Sequence, residues 1–86
     1  MKIVAIEQTP NPNSMRVVLD TELPSGTSYN YKKSDVDTAV EPAASVLKIN
    51  GVNGIYHVMN FMAVERSGDV EWEEILPAIE AVIPKN

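Results

Sequence analysis

Apolar and polar residues alternate along two short segments at the start of the chain. Lys2–Glu7 places Val4 and Ile6 on one face, and Met15–Asp20 alternates in the same way. A period of two is typical of a β-strand with one buried face. Because the segment between them is short enough for a hairpin, we predict an antiparallel pair of strands.

The connector Thr9–Ser14 between these strands is rich in residues that restrict or turn the backbone. Pro10 and Pro12 fix φ at about −65° and disfavour the α conformation for the residue before each of them. Asn11 and Asn13 tolerate turn conformations. We therefore predict a stiff connector from which the amides of Asn11 and Asn13 point outward.

The middle of the chain predicts a short strand and then a helix. Ser28–Lys32 can form an edge strand that carries two tyrosines on one face. A proline suits the first position of a helix but costs about 3 kcal/mol in its interior, so we start the helix near Glu41 or Pro42. We predict that it runs to about Lys48 and ends at Asn50-Gly51, where both residues accept a left-handed conformation.

A second hairpin is predicted from Gly54–Met59 and Phe61–Arg66, turning at Asn60. We expect a register in which Val58 opposes Met62. One face would then be core, with Tyr56, Val58, Met62 and Val64. The other face would carry His57, Met59, Phe61, Ala63 and Glu65. Because a charged residue lies on this second face, we expect it to be the open one.

The C-terminal segment predicts an amphipathic helix from about Val70 to Ile83, capped by Asp69. Its apolar residues recur at helical spacing: Trp72, Ile75, Leu76, Ile79, Val82 and Ile83. Two hairpins and two helices bury their apolar faces most simply as an α+β two-layer sandwich. We predict an antiparallel sheet of about four strands with both helices packed on one face, in the order ββαββα.

The composition indicates one globular domain over residues 1–86, with 44% hydrophobic residues. The absence of cysteine leaves these residues without disulfides, thiolate nucleophiles or Cys ligands for zinc or iron–sulfur clusters. The net charge of −5 disfavours binding to nucleic acid. No stretch is typical of a signal peptide or a membrane span, so we expect a cytoplasmic monomer with no membrane partner.

Several motifs taken together are similar to those of a known family. They are Thr9-Pro10-Asn11-Pro12-Asn13, Pro42 at a helix start, Leu47-Lys48-Ile49-Asn50-Gly51-Val52, Asn60-Phe61-Met62-Ala63-Val64, and Trp72 with Glu73. Over essentially its whole length the chain resembles the N-terminal domain of Nfu-type (NifU-like) iron–sulfur scaffold proteins, and small free-standing bacterial proteins of that domain. The resemblance implies an α+β fold and an association with iron–sulfur cluster assembly.

The chain departs from full-length members of that family in one respect that decides its chemistry. In those members a second domain carries a Cys-x-x-Cys pair that holds the cluster, whereas this sequence has no cysteine. It resembles the accessory domain alone. We therefore expect it to hold no cluster and to carry no other cofactor.

No combination of residues in the sequence indicates catalysis. The serines have no base paired with them by a recognisable motif, and no Gly-rich phosphate loop is present. The single histidine, His57, has no neighbouring ligands at the spacing of a metal site. We expect a non-enzymatic domain with no catalytic residues and no metal site.

The residues predicted to bind a partner come from the connector and from the expected open face: Asn11, Asn13, His57, Met59 and Phe61. Methionine adapts to irregular surfaces and an aromatic residue can anchor an interface. We expect a protein partner, for which the resemblance implies a component of iron–sulfur assembly. If a helix or a second copy of the chain covered the strip of His57, Met59 and Phe61, these residues would be ordinary core. A small-ligand or metal-ion carrier that uses His57 and nearby carboxylates is the alternative function.

Overall fold

The computed structural model describes residues 2–84. Within them lie five strands and two α-helices: β1 (Ile3–Gln8), β2 (Ser14–Leu19), β3 (Ser28–Lys32), α1 (Ala43–Leu47), β4 (Val52–Val58), β5 (Phe61–Arg66) and α2 (Trp72–Val82). A 3₁₀ turn covers Lys33–Asp35. The α+β class is confirmed. The prediction of about four strands in the order ββαββα is one strand short, because the edge strand at Ser28–Lys32 makes the order βββαββα.

All neighbouring strands pair antiparallel, in the spatial order β1-β2-β5-β4-β3. The hairpins β1–β2 and β4–β5 form as predicted. The strand β3 pairs with β4 at one edge of the sheet, as an edge strand should. The strand β5 therefore occupies the middle of the sheet, and β1 forms the edge opposite β3.

The hairpin between β4 and β5 turns through two residues, Met59 and Asn60, rather than at Asn60 alone. Two-residue loops are the commonest hairpin connections. Val58 therefore opposes Phe61, and the predicted opposition of Val58 and Met62 is wrong by one position. The residue Met59 has a φ of 50°, in the left-handed region that non-glycine residues seldom adopt.

This shift of one position moves every side chain of β4 to the opposite face of the sheet. Tyr56 and Val58, predicted to be core, lie on the face away from the helices. His57, predicted to be on the open face, lies on the helix side and is only 3% exposed. The faces of β5 are as predicted, with Met62 and Val64 fully buried.

The hydrophobic core lies between one face of the sheet and the helices α1 and α2. Its buried side chains are Ile3, Val17, Leu19, Ala43, Val46, Leu47, Val52, Ile55, Met62, Val64, Ile75, Ile79 and Ile83. Because α1 and α2 both contribute to this one cluster, they cover the same face of the sheet, as predicted.

The helix α1 begins directly after Pro42, which is its N-cap residue, and thus starts where the sequence predicts. Lys33 holds its C-terminal end, since the Nζ atom donates hydrogen bonds to the carbonyls of Leu47 and Ile49. Gly51 follows with a φ of 97°, which favours glycine. These contacts set the direction in which the chain enters β4.

The helix α2 begins at Trp72, with Glu71 as its N-cap residue. The predicted cap at Asp69 is wrong, because its carboxylate instead accepts a hydrogen bond from the Ser67 hydroxyl in the preceding turn. That bond also lowers the pKa of Asp69. No helix among residues 2–84 has the length and apolar character needed to cross a membrane.

Candidate partner-binding surface

The face of the sheet away from α1 and α2 carries a group of apolar side chains, which we call the open face. Val18, Phe61 and Val58 are cross-strand neighbours in one row, and Ala63 and Tyr56 are neighbours in the next. Tyr56 is 43% exposed, and the others are half-buried. Contiguous apolar surface of this kind tends to mark an interaction site.

Arg16 borders the open face and contacts its central aromatic ring. The guanidinium carbon lies 4.0 Å from the centroid of the Phe61 ring, and the Nε atom lies 3.7 Å from Oε1 of Glu7. A cation over an aromatic ring at an exposed site contributes about 0.5–1 kcal/mol. The contact puts a charged group over the central ring of the apolar group, and Arg16 opposes Ala63 in the neighbouring row.

The turn between β4 and β5 extends the open face at one end. Met59 is 57% exposed, and its carbonyl accepts a hydrogen bond from the Leu23 amide at 2.9 Å. This bond holds the loop before β3 beside the turn. The loop residues, together with Tyr56, Val58 and Met59, line a depression of about 470 Å³. The end of the open face is therefore concave.

The structure separates the residues that the sequence grouped into one binding strip. Phe61 lies on the open face and Met59 lies at the adjoining turn, so these two remain together. His57 lies on the other side of the sheet, with its ring centroid 6.4 Å from that of Tyr29. Its predicted place on the exposed strip is thus wrong, for the reason of register given above.

The surroundings of His57 do not resemble a metal site. Its Nε2 atom is buried and has no hydrogen-bond partner within residues 2–84. Burial lowers the pKa of its imidazole below the ordinary value of 6.5. In this part of the chain no three His, Cys, Asp or Glu side chains lie close enough together to hold a metal ion. The alternative of a metal carrier therefore gains no ligand set from the described residues.

The connector between β1 and β2 is held by hydrogen bonds of its own. The Thr9 hydroxyl donates to the Asn11 and Ser14 carbonyls at 2.9 and 3.0 Å, and it accepts from the Asn11 amide at 3.1 Å. The Asn11 Oδ1 atom accepts a bond from the Asn13 amide at 2.9 Å. Asn11 and Asn13 are exposed as predicted, but the side-chain oxygen of Asn11 is used inside the connector.

The connector is also fixed to α2 and β5, which sequence reasoning did not predict. The Trp72 indole N–H donates to the Pro12 carbonyl at 2.9 Å, and the Arg66 amide donates to the Asn13 carbonyl at 2.9 Å. Trp72 is half-buried, with its ring on the apolar side of α2 and its N–H bonded at the surface. The preference of tryptophan for such a polar contact at one end was the available signal. Trp72 and Arg66 line a cleft of about 340 Å³ beside the connector.

The connector and the turn at Met59 lie at opposite ends of the sheet. Ser14 opposes Glu65 at the connector end, and Val18 opposes Phe61 toward the turn. These pairs are four positions apart along β2, or about 13 Å of strand. Asn11 and Asn13 therefore do not join Met59 and Phe61 in one compact patch.

The pattern of elements and motifs agrees with a match to one family model. The model described as "Scaffold protein Nfu/NifU N terminal" matches residues 3–86. The chain belongs to the Nfu/NifU N-terminal domain family. The family resemblance noted in the sequence is thereby confirmed, and it covers the connector, both hairpins and the two helices described above.

Longer bacterial proteins contain a similar Nfu/NifU N-terminal domain. The chain is 51% identical over 79 residues to the protein YpgR of Bacillus subtilis, and this alignment covers 92% of the chain and 21% of YpgR. It is 46% identical over 81 residues to conserved virulence factor C of Staphylococcus aureus. That alignment covers 94% of the chain and 21% of the virulence factor. The chain thus spans about a fifth of the length of these relatives.

Solved structures of similar size share the fold. A crystal structure of the Staphylococcus aureus protein SAV1430 has a TM-score of 0.87 and 41% identity, over 95% of this chain and 98% of that one. A solution structure of a Staphylococcus epidermidis protein has a TM-score of 0.68 and 31% identity, over 94% of this chain and 93% of that one. The arrangement of β1–β5, α1 and α2 is thus similar to that of known structures.

Proposed function

We propose that this Nfu/NifU N-terminal domain is a non-enzymatic accessory module that docks a protein component of iron–sulfur cluster assembly through its open face. The family description supports the process, since it assigns the domain to scaffold proteins. The observation that carries the docking is the half-buried row of Val58, Phe61 and Val18, which lies on the face of the sheet that neither α1 nor α2 covers.

The proposed role is to bind a cluster-carrying protein rather than the cluster itself. Iron–sulfur clusters are held mainly by thiolates, and the 86 residues contain no cysteine. Residues 2–84 also offer no group of three ligating side chains. Under this proposal the partner supplies the cluster ligands, and the domain contributes affinity and orientation.

The shape of the open face favours a protein over a small molecule. Small ligands bind mostly in concave sites that enclose them, whereas Val18 and Phe61 lie outside the depression that Val58 and Met59 line. Aromatic residues and methionine are enriched in the cores of protein interfaces. Tyr56, Phe61 and Met59 supply these residue types, and the depression beside Met59 can receive one projecting side chain of the partner.

The exposure of Met59 is a second feature that supports docking at this end of the sheet. Its side chain is 57% exposed beside the open face. A methionine side chain is flexible and adapts to an irregular partner surface. The proposal makes it a contact residue at the border of the interface.

The partner that we propose is a Cys-x-x-Cys domain of the Nfu type, in the same chain or a separate one. The test titrates the ¹⁵N-labelled domain with that partner domain, produced separately, in cluster-free and cluster-loaded forms. We expect amide shifts to concentrate at Val18 and over residues 56–63. We also expect the visible absorption of the cluster to remain with the partner when the two are separated.

Two binding results and one cluster-transfer result would contradict the proposal. One is the absence of saturable shifts with either form of the partner at concentrations up to about 1 mM, which corresponds to only about 4 kcal/mol of binding free energy. The other is a set of shifts confined to the exposed side of α2 or to the connector. A cluster that moved stably onto this domain would contradict the division of roles.

A further inference from the structure

The sequence contains two Asn-Gly pairs, Asn50-Gly51 and Asn53-Gly54, and both asparagines are exposed. In such a pair the backbone nitrogen of glycine attacks the side-chain carbonyl carbon of asparagine, since glycine has no side chain to obstruct the approach. This reaction is one reason why asparagine is thermolabile in proteins. The nitrogen must be free to turn toward that carbon, so the hydrogen bonds of the two glycine amides distinguish the pairs.

The peptide group between Asn50 and Gly51 is the central one of a tight turn. The turn is closed by a hydrogen bond from the Val52 amide to the Ile49 carbonyl at 3.2 Å. Within residues 2–84, neither the Asn50 carbonyl nor the Gly51 N–H forms a hydrogen bond. Rotation of this peptide group therefore breaks no hydrogen bond of its own.

The second pair lies in β4, where Gly54 is held by β5. The Arg66 amide donates to the Asn13 carbonyl at 2.9 Å, so Arg66 faces β2 and the preceding Glu65 faces β4. Glu65 opposes Gly54, so the Gly54 N–H points into the ladder between β4 and β5. Attack by this nitrogen requires the two strands to separate.

The asparagines of the connector are blocked by its prolines and turns. Asn11 precedes Pro12, which has no N–H. Asn13 precedes Ser14, whose amide donates to the Asn11 carbonyl at 3.0 Å. Neither position offers a free amide nitrogen to the asparagine side chain before it.

The asparagines of the other strands and turns are blocked by the sheet. Asn30 precedes Tyr31, and Asn60 precedes Phe61. In both cases a neighbouring residue along the strand bonds away from β4, so the N–H groups of Tyr31 and Phe61 face β4. Among residues 2–84, Asn50 is thus the asparagine whose following amide is free.

We propose that Asn50 is a site of spontaneous deamidation, at which the folded chain converts this residue to aspartate and isoaspartate. The Gly51 nitrogen forms a bond to Cγ of Asn50, the bond from Cγ to the side-chain nitrogen breaks, and ammonia leaves with the Gly51 amide proton. Water then opens the resulting succinimide at either of its two carbonyls. One opening gives aspartate, and the other gives isoaspartate, whose main chain runs through the former side chain.

Either product changes the junction between α1 and β4. Asn50 and Lys33 line one hollow of about 240 Å³, so the new carboxylate lies in the same hollow as the Lys33 side chain. The Lys33 ammonium donates to the carbonyls of Leu47 and Ile49 at the end of α1. Isoaspartate also adds one methylene group to the main chain at this point. The site is independent of the proposed docking, because it uses no residue of the open face.

The test incubates the folded wild-type chain at mildly alkaline pH and maps its peptides by mass spectrometry. We expect aspartate and isoaspartate to form at position 50 at least tenfold faster than at position 53, because only the second reaction requires strands of the sheet to open. An isoaspartyl methyltransferase counts the isoaspartate independently. In guanidinium chloride the two rates should converge, since neither pair is then held by the fold.

A matched pair of variants assigns the product to one position. Glutamine keeps the side-chain amide but must close a larger ring, which is a much slower reaction. We expect Asn50→Gln to remove most of the isoaspartate from the folded chain and Asn53→Gln to change its amount less than twofold. Thermal melts establish that both variants are folded.

Three outcomes would overturn the proposal. One is a ratio of rates at positions 50 and 53 smaller than tenfold in the folded chain. The second is an unmodified Asn50 in the folded chain under conditions where both pairs react in guanidinium chloride. The third is loss of the isoaspartate in Asn53→Gln and its retention in Asn50→Gln. The comparison within the wild-type chain decides the outcome even if a variant does not fold.

Discussion

At the scale of single residues, His57 is the buried polar side chain in the apolar core of the described residues. It is 3% exposed, its Nε2 atom lacks a hydrogen-bond partner within residues 2–84, and it opposes Met62 in the core. Leaving a buried polar group unpaired costs about 1–3 kcal/mol. Burial also disfavours the charged imidazolium, which is why its pKa is lowered.

This lowered pKa predicts how stability depends on pH. The unfolded chain binds a proton at His57 at a higher pH than the folded chain, so protonation favours unfolding. The free energy of unfolding should therefore decrease as the pH falls below about 6.5 toward the folded pKa. We expect His57→Leu to remove this part of the decrease, as measured by urea unfolding between pH 5.5 and 7.5. Parallel pH profiles for the two proteins would contradict the assignment.

Gly51 gives a second prediction at the residue scale. Its φ of 97° disfavours any side chain, and a Cβ placed there would lie 2.7 Å from a methyl carbon of Val70. Gly26 is the matched control, because its φ is 81° but a Cβ added there would have no atom within 4 Å. We expect Gly26→Ala to cost about 1 kcal/mol and Gly51→Ala clearly more, by urea unfolding. Equal costs would show that Val70 moves aside freely.

At the scale of the elements, the β4–β5 hairpin shows where sequence patterns lose information. Glu65 fixes which face of β5 is exposed, and that prediction is confirmed. The run from Ile55 to Val58 contains no charged residue, and its apolar, aromatic and His side chains suit either face. The faces of β4 therefore depend on the turn alone. The prediction counted one turn residue where the hairpin has two. It therefore assigned Tyr56 and His57 to the wrong faces of the sheet.

The attachment of the connector to α2 gives a prediction for two elements that are distant in sequence. Trp72→Phe keeps an aromatic ring but removes the indole N–H that bonds to the Pro12 carbonyl. We expect it to cost about 1 kcal/mol, the typical net contribution of one hydrogen bond. Amide hydrogen exchange at Asn11 and Asn13 should become faster. Unchanged exchange there would show that the bond from Arg66 to the connector suffices.

At the scale of the whole molecule, the features that followed from periodicity are confirmed. Alternation located the strands and helical spacing located α2. Pro42 and Gly51 marked the start and the end of α1. These signals could be read from the sequence because each depends only on neighbouring residues. The site was harder to predict, since it depends on which strands become neighbours. No local pattern predicts that β2 pairs with β5. This pairing brings Val18 beside Phe61. The same pairing places the connector at the other end of the sheet.

Binding of the cluster-carrying partner to the open face is the central proposal for this molecule. Its most direct test is calorimetric titration of a Cys-x-x-Cys domain of the Nfu type into wild-type protein and three variants. Phe61→Ala and Tyr56→Ala remove open-face contacts. Val82→Ala is the matched control on α2, where Val82 is 43% exposed, as Tyr56 is. Thermal melts establish that each variant is folded.

We predict that Phe61→Ala raises the Kd at least tenfold, or about 1.4 kcal/mol, because an aromatic anchor carries a large share of interface energy. Tyr56→Ala should raise it in the same direction, and Val82→Ala should change it less than twofold. If the partner binds the Phe61 and Tyr56 variants as tightly as wild type, or does not bind wild type at all, the open face is not its docking site.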